Sequence, residues 1–216
     1  MIFVCLLAWL PLFGAYQIER LADMPRAYYI TDFLTDKECD HLIALALPQL
    51  RRSTVVDESG KSSTRLDDRR TSSGMFITPN PKDKILEGIE QKIETLTQYP
   101  RSHGEAIQVL HYGVGGEYQP HYDTFNPLTP GGQAQLARGG QRVITLIMYL
   151  HTTPSGGETI FPRAHIAAPP VRRNALLFYN TLPDGATDPF TLHGGAPVLS
   201  GEKWIATKWL HEREFH

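Results

Sequence analysis

From Pro100 onward the chain is a succession of short strand-like runs cut by glycine and proline, at residues 106–112, 118–124, 142–150, 158–161, 175–179 and 203–210. Short strands at this spacing, with no helical pattern alternating between them, predict a sandwich or jelly roll and argue against βαβ units. The amino-terminal half has a different character. Thr35-Asp36-Lys37-Glu38 has the Ser/Thr-x-x-Glu form of a capping box, and Cys39, Leu42, Ile43, Ala46 and Leu47 follow at helical spacing until Pro48. Asn80 and Pro81 read as the N-cap and first residue of a second helix, whose stripe of Ile85, Ile89, Ile93 and Leu96 is closed by Pro100. Residues 50–78 begin as a polar loop and end in strand-like Ser73 to Ile77. Residues 124–140, with Pro127, Pro130 and several glycines, are too long and irregular for a plain hairpin, so they read as a lid or a disordered insertion. The predicted fold class is α+β, with helices in front and a jelly roll behind.

A chain of 216 residues with 41% hydrophobic content can bury one full core. Its net charge of −2 lacks the basic footprint that phosphate-backbone binding needs, so nucleic acid is excluded as the expected partner. The pairs Arg51-Arg52, Arg69-Arg70 and Arg172-Arg173 read as solvated surface, with room for one of them to line a substrate groove. Cys5 and Cys39 are the only cysteines, in no disulfide or zinc-knuckle pattern, which favours a reducing compartment and an expectation of a cytoplasmic protein. Residues 2–15 are nearly all apolar, yet shorter than the roughly 20 needed to span a bilayer and without leading basic residues. A weak signal anchor, a buried first strand or helix, and a truncated start all remain open for them. Any membrane association would have to run through this segment. The expected division is an apolar segment at 1–24 and one domain at 25–216.

Within the strand-rich part, His121 and Asp123 are two apart, and a strand places residues i and i+2 on one face roughly 7 Å apart. One imidazole and one carboxylate can then share a cavity, and His193 can complete a set of two histidines and one carboxylate. Such a triad on one side of a non-haem Fe(II) leaves positions open for a chelating cosubstrate and oxygen. The last strand alternates Lys203, Ile205, Thr207, Trp209 and His211 on one face against Trp204, Ala206, Lys208 and Leu210 on the other. Alternation alone leaves open which face is inward. An inward Lys203 would need an anionic partner, because an unpaired buried ammonium is costly.

The run from Gln108 to Asp123, containing His111-Tyr112-Gly113 and Gln119-Pro120-His121-Tyr122-Asp123, resembles the iron-binding segment of the prolyl 4-hydroxylases, 2-oxoglutarate and Fe(II)-dependent dioxygenases. Further blocks match in the same order: Arg69-Arg70-Thr71-Ser72-Ser73-Gly74-Met75, Gly139-Gly140-Gln141-Arg142-Val143, Gly156-Gly157-Glu158-Thr159-Ile160-Phe161-Pro162, His193-Gly194-Gly195 and Gly201-Glu202-Lys203-Trp204 through Trp209. Several co-linear blocks are far more specific than any one motif.

The resemblance implies a double-stranded β-helix core and assigns iron to His121, Asp123 and His193, with Lys203 pairing the distal carboxylate of 2-oxoglutarate. It places Tyr112 and Thr159 beside that cosubstrate, and Arg70, Ser72, Arg142, Trp209 and His211 along a peptide groove. The implied reaction consumes 2-oxoglutarate and O₂, with ascorbate as reductant, and converts peptidyl proline to 4-hydroxyproline with release of succinate and CO₂. A proline-containing peptide is the implied partner, while oligomeric state is left open. Two alternatives remain: an oxygenase of the same fold acting on another amino-acid side chain or a small metabolite, and a non-catalytic jelly-roll binding module. Gly194, Ala196 and Thr124 depart from residues common in the family, and none of them is an expected ligand.

Overall fold

A computed structural model describes residues 16–62 and 64–216. Its strands are β1 (Gln17–Ala22), β2 (Ala27–Thr31), β3 (Arg51–Arg52), β4 (Thr54–Val56), β5 (Thr64–Leu66), β6 (Ser73–Phe76), β7 (Gln108–Tyr112) and β8 (Tyr118–His121). They continue as β9 (Arg142–Tyr149), β10 (Ser155–Gly156), β11 (Thr159–Phe161), β12 (Ile166–Ala168), β13 (Ala175–Tyr179), β14 (His193–Gly195), β15 (Val198–Ser200) and β16 (Lys203–His211). The helices are α1 (Asp36–Ala46), α2 (Lys84–Thr97) and α3 (Pro130–Gly139). The large sheet runs β1-β2-β13-β9-β16-β7-β6-β3 and the small one β12-β11-β14-β8, the two layers of a double-stranded β-helix.

Strand alternation divides the interior in two. On β9, Ile144, Leu146 and Met148 join the cluster that packs under α1 and α2, while Ile147 and Tyr149 join the cluster between the sheets. On β16, Trp204, Ala206 and Leu210 face the helices and Ile205 faces the barrel interior. Both faces of β16 are therefore buried, and Lys203, at 3% exposure, points inward.

The capping box forms as expected: the Glu38 N–H donates to Thr35 Oγ1 and the Thr35 N–H donates to the Glu38 carboxylate. The second helix starts three residues later than its sequence suggests. Asp83, not Asn80, is the N-cap, its Oδ1 accepting from the N–H groups of Ile85 and Leu86. Asn80 instead holds a turn, accepting from the Lys82 N–H. Residues 124–140 are neither disordered nor a bare loop, because Thr129 caps α3 with Pro130 at its first position. Residues 2–15 lie outside the described residues. Gln17–Ala22, expected to belong with that segment, instead pair with β2 in the large sheet, which moves the boundary at residue 24 toward the amino terminus. Among the described residues no helix is long and apolar enough to cross a membrane.

Candidate active site

β8 and β14 pair so that His121 and His193 are direct cross-strand partners. β8 ends at His121, so Asp123 arrives by the bend that follows and not by strand alternation. Its position is set from the opposite sheet: Thr145 Oγ1–H and Trp209 Nε1–H donate to Asp123 Oδ2 at 2.6 and 2.9 Å. The ligand atoms of His121, Asp123 and His193 all lie within 4.8 Å of one another.

The two imidazoles are oriented by the same device. His121 Nδ1 faces the Gln119 carbonyl and His193 Nδ1 faces the Thr191 carbonyl, each at 2.9 Å. A carbonyl can only accept, so each Nδ1 carries a proton and Nε2 is the ring nitrogen turned toward Asp123. Those Nε2 atoms lie 3.5 Å from Asp123 Oδ1 and 3.7 Å from Asp123 Oδ2 respectively. Burial pushes the His193 imidazole down to about 4, keeping it neutral. For Asp123 burial opposes ionisation, but the neighbouring His193, His121 and Arg142 outweigh it and hold the carboxyl well below the usual range. Two imidazole nitrogens and one carboxylate suit a divalent iron.

One cavity joins this triad to Lys203, Tyr112 and Thr159. The Lys203 ammonium has no carboxylate within ion-pair distance among the described residues, and its Nζ lies 5.5 Å from the centroid of the Tyr112 ring. Burial pushes its pKa down to about 8, which the Glu158 carboxylate only partly offsets. Tyr149 donates its hydroxyl to Thr159 Oγ1 at 2.9 Å, leaving the Thr159 proton free to donate into the cavity. Gly195 keeps the space beside the ammonium open: an added Cβ would lie 3.4 Å from Lys203 Nζ.

A wider groove leads out from the triad between the β4–β5 hairpin and α3, and Arg70, Arg142 and Trp209 line it. Arg70 donates to the Thr54 carbonyl and to Gln108 Oε1 and sits over the Tyr118 ring. Arg142 pairs with Glu105, with its guanidinium 4.0 Å from the centre of the Trp209 ring. Two expected groove residues are elsewhere. Ser72, just before β6, is fully buried and donates to Ser53 Oγ instead of facing the groove. His211 is fully buried between Glu105 and the Gly140 carbonyl, and it meets the groove through Glu105 and the Phe125 ring. Thr145, Tyr149 and Glu105 were not singled out from the sequence. A polar Thr145 inside the otherwise apolar run from Val143 to Tyr149, in phase with Ile147 and Tyr149, is the signal that could have found the first.

A jelly roll carrying two histidines and a carboxylate beside an unpaired buried cation defines an iron oxygenase that takes an anionic cosubstrate. Residues 107–211 match the 2OG-Fe(II) oxygenase superfamily. Prolyl 4-hydroxylase 2 of Arabidopsis thaliana is 43% identical over 220 residues, covering 92% of this chain and 71% of that protein. Probable prolyl 4-hydroxylase 4 of the same plant is 42% identical over 221 residues, covering 92% and 72%. The viral collagen prolyl hydroxylase of Paramecium Bursaria Chlorella virus-1, solved as its 2OG complex, superposes with a TM-score of 0.65 at 27% identity, covering 88% of this chain and 97% of that one. The chain belongs to the prolyl 4-hydroxylase family of 2-oxoglutarate and Fe(II)-dependent dioxygenases, and Fe(II) and 2-oxoglutarate are its metal and cosubstrate.

Proposed function

We propose that the chain hydroxylates peptidyl proline to 4-hydroxyproline, with His121, Asp123 and His193 holding the iron and Lys203 binding the distal carboxylate of 2-oxoglutarate. The observation that carries this is the uncompensated Lys203 ammonium, buried in the same cavity as the triad. A dicarboxylate supplies the charge that this ammonium lacks, and a charge-assisted hydrogen bond fixes its orientation. Tyr112 and Thr159 line the cavity beside Lys203, and their hydroxyls would serve the same carboxylate. When bound, iron with 2-oxoglutarate and O₂ supplies the oxidation of a C–H bond, one oxygen atom going to the product alcohol and one to succinate as CO₂ leaves.

The protein's own part is to orient and to exclude water. Tyr118 stacks on His121 at 3.7 Å, and Phe161 and Phe178 flank His193, so both imidazoles are held by rings on apolar walls. Arg70, Arg142 and Trp209 offer an extended proline-containing peptide two guanidinium groups for its carbonyls and an aromatic surface for its ring. The names of the relatives support proline as the target. Ascorbate fits the same reading as the reductant that returns the iron to Fe(II). The two cysteines without a disulfide framework support a cytoplasmic site of action.

The test is a mass-spectrometric screen of proline-rich peptides with the protein, Fe(II), 2-oxoglutarate and ascorbate. One added oxygen on proline, with matching succinate, is the expected result. Succinate release that no proline peptide stimulates would sink the substrate assignment.

A further inference from the structure

We infer that Trp209 and Thr145, the latter oriented by Asn180, are positioning residues that make Asp123 a one-oxygen ligand. This rests on the triad reading above. A carboxylate oxygen has two lone-pair sites, and both sites of Asp123 Oδ2 are taken, by Thr145 Oγ1–H at 2.6 Å and Trp209 Nε1–H at 2.9 Å. Asn180 Nδ2 donates to Thr145 Oγ1 at 2.9 Å, which commits that hydroxyl's acceptor side and turns its proton to Asp123. The amide keeps this orientation although its own buried Oδ1 finds no partner. Thr145 and Asn180 are fully buried, so no water competes for these bonds.

Only Oδ1 is left for a metal, and it is the oxygen nearer His121 Nε2. The distinction matters because 2-oxoglutarate chelates through two atoms while O₂ needs a third place. A carboxylate free to swing and bind through both oxygens would compete with one of them. Trp209 therefore has two functions on two parts of one ring: its face lies under the Arg142 guanidinium in the groove, and its N–H edge disciplines the metal ligand.

Anaerobic Co(II) serves as the spectroscopic probe, with 2-oxoglutarate titrated into the Co(II)-loaded protein. Trp209→Phe and Thr145→Val each remove one donor, while Thr145→Ser keeps the hydroxyl. The expected result is a changed Co(II) ligand-field spectrum and about tenfold weaker metal or 2-oxoglutarate binding in the first two, the size usual for partners that orient a metal ligand, with Thr145→Ser close to the unaltered protein. Infrared difference spectra of the unaltered protein on Co(II) binding, with carboxyl-labelled aspartate, require no variant to fold. The wide splitting of a monodentate carboxylate is expected there, and the narrow splitting of a bidentate one overturns the inference. Variants that fold, bind Co(II) and keep the unaltered spectrum and 2-oxoglutarate affinity overturn it while leaving the triad standing. Absence of Co(II) binding in the unaltered protein overturns the triad as well.

Discussion

The indole N–H of Trp209 donates to Asp123 Oδ2 across the barrel at 2.9 Å, joining the last strand of the large sheet to the bend that follows β8 in the small one. Strand parity puts Trp209 on the Lys203 face, but only the closed barrel brings it against a residue 86 positions earlier. Trp209 thus lines both the cavity that holds Lys203 and the wider groove outside it.

Replacing His121 or Asp123 by alanine removes a ligand outright, so Fe(II) affinity should fall by more than the roughly 10 to 100-fold typical of outer-shell partners. An anaerobic titration with Fe(II) and 2-oxoglutarate reads this as loss of the visible charge-transfer band. Persistence of the band in His121→Ala would falsify the triad.

Lys203→Ala should raise KM for 2-oxoglutarate by about 10 to 100-fold while moving kcat much less, since hydrogen bonds to charged groups are worth about 1.5 to 3 kcal/mol. The same residue gives a pH dependence. Its pKa is lowered from 10.5 to about 8, so the free site loses its cation as pH rises through 8, and the 2-oxoglutarate KM should climb there. The stability effect runs the other way: the unfolded chain holds the extra proton between about 8 and 10.5, so this group makes the fold more stable as pH rises through that window. A KM that is flat from pH 7 to 9.5 would refute the assignment.

Glu105 gives a pH dependence on the acid side. Burial works against its charge, but Arg142 and His211 hold it at about 2 against a usual 4.5. Its contribution to stability is fully present above about 4.5 and is lost as pH falls toward 2. Urea midpoints measured from pH 6 to 3 should drop less steeply in Glu105→Gln, whose baseline stability is already lower. An equal slope would show that the Glu105 carboxylate is not the one being titrated.

Lys208 and Glu90 form a buried ion pair at 2.8 Å that ties β16 to α2. Lys208→Met leaves a buried carboxylate alone and should cost about 3 to 5 kcal/mol, whereas the double change Lys208→Met/Glu90→Leu should recover much of it. Chemical denaturation of the two variants decides the matter, and equal losses in both would contradict the pairing.

The start of α2 can be tested at the bench. Asp83→Ala should cost about 1 kcal/mol as an N-cap, and more through its contact with His41, while Asn80→Ala should cost a few tenths. Thermal denaturation giving the reverse order would restore Asn80 as the cap.

What the sequence determined by itself was whatever depends on near neighbours. The capping box at Thr35, the stripe on α2, the runs that became β7, β9, β13 and β16, and the shared phase of Lys203 and Trp209 all follow from local periodicity, whereas the inward direction of that face does not. The family blocks added the candidate ligands, because they record chemistry that periodicity cannot express. The remainder was decided by packing between distant segments. β14 is three residues containing two glycines, so nothing local marks it as a strand until β8 and β11 pair with it on either side. Asp83 prevails over Asn80 by satisfying two helix N–H groups, while Asn80 closes the turn before it. Ser72 and His211 sit in motifs that suggest a groove, yet it is Arg70 and Trp209, two residues away in the same motifs, whose side chains line it. The saturation of Asp123 Oδ2 belongs to the same class: its two donors come from β9 and β16, and only a barrel closed by two sheets brings three such distant residues within hydrogen-bond reach.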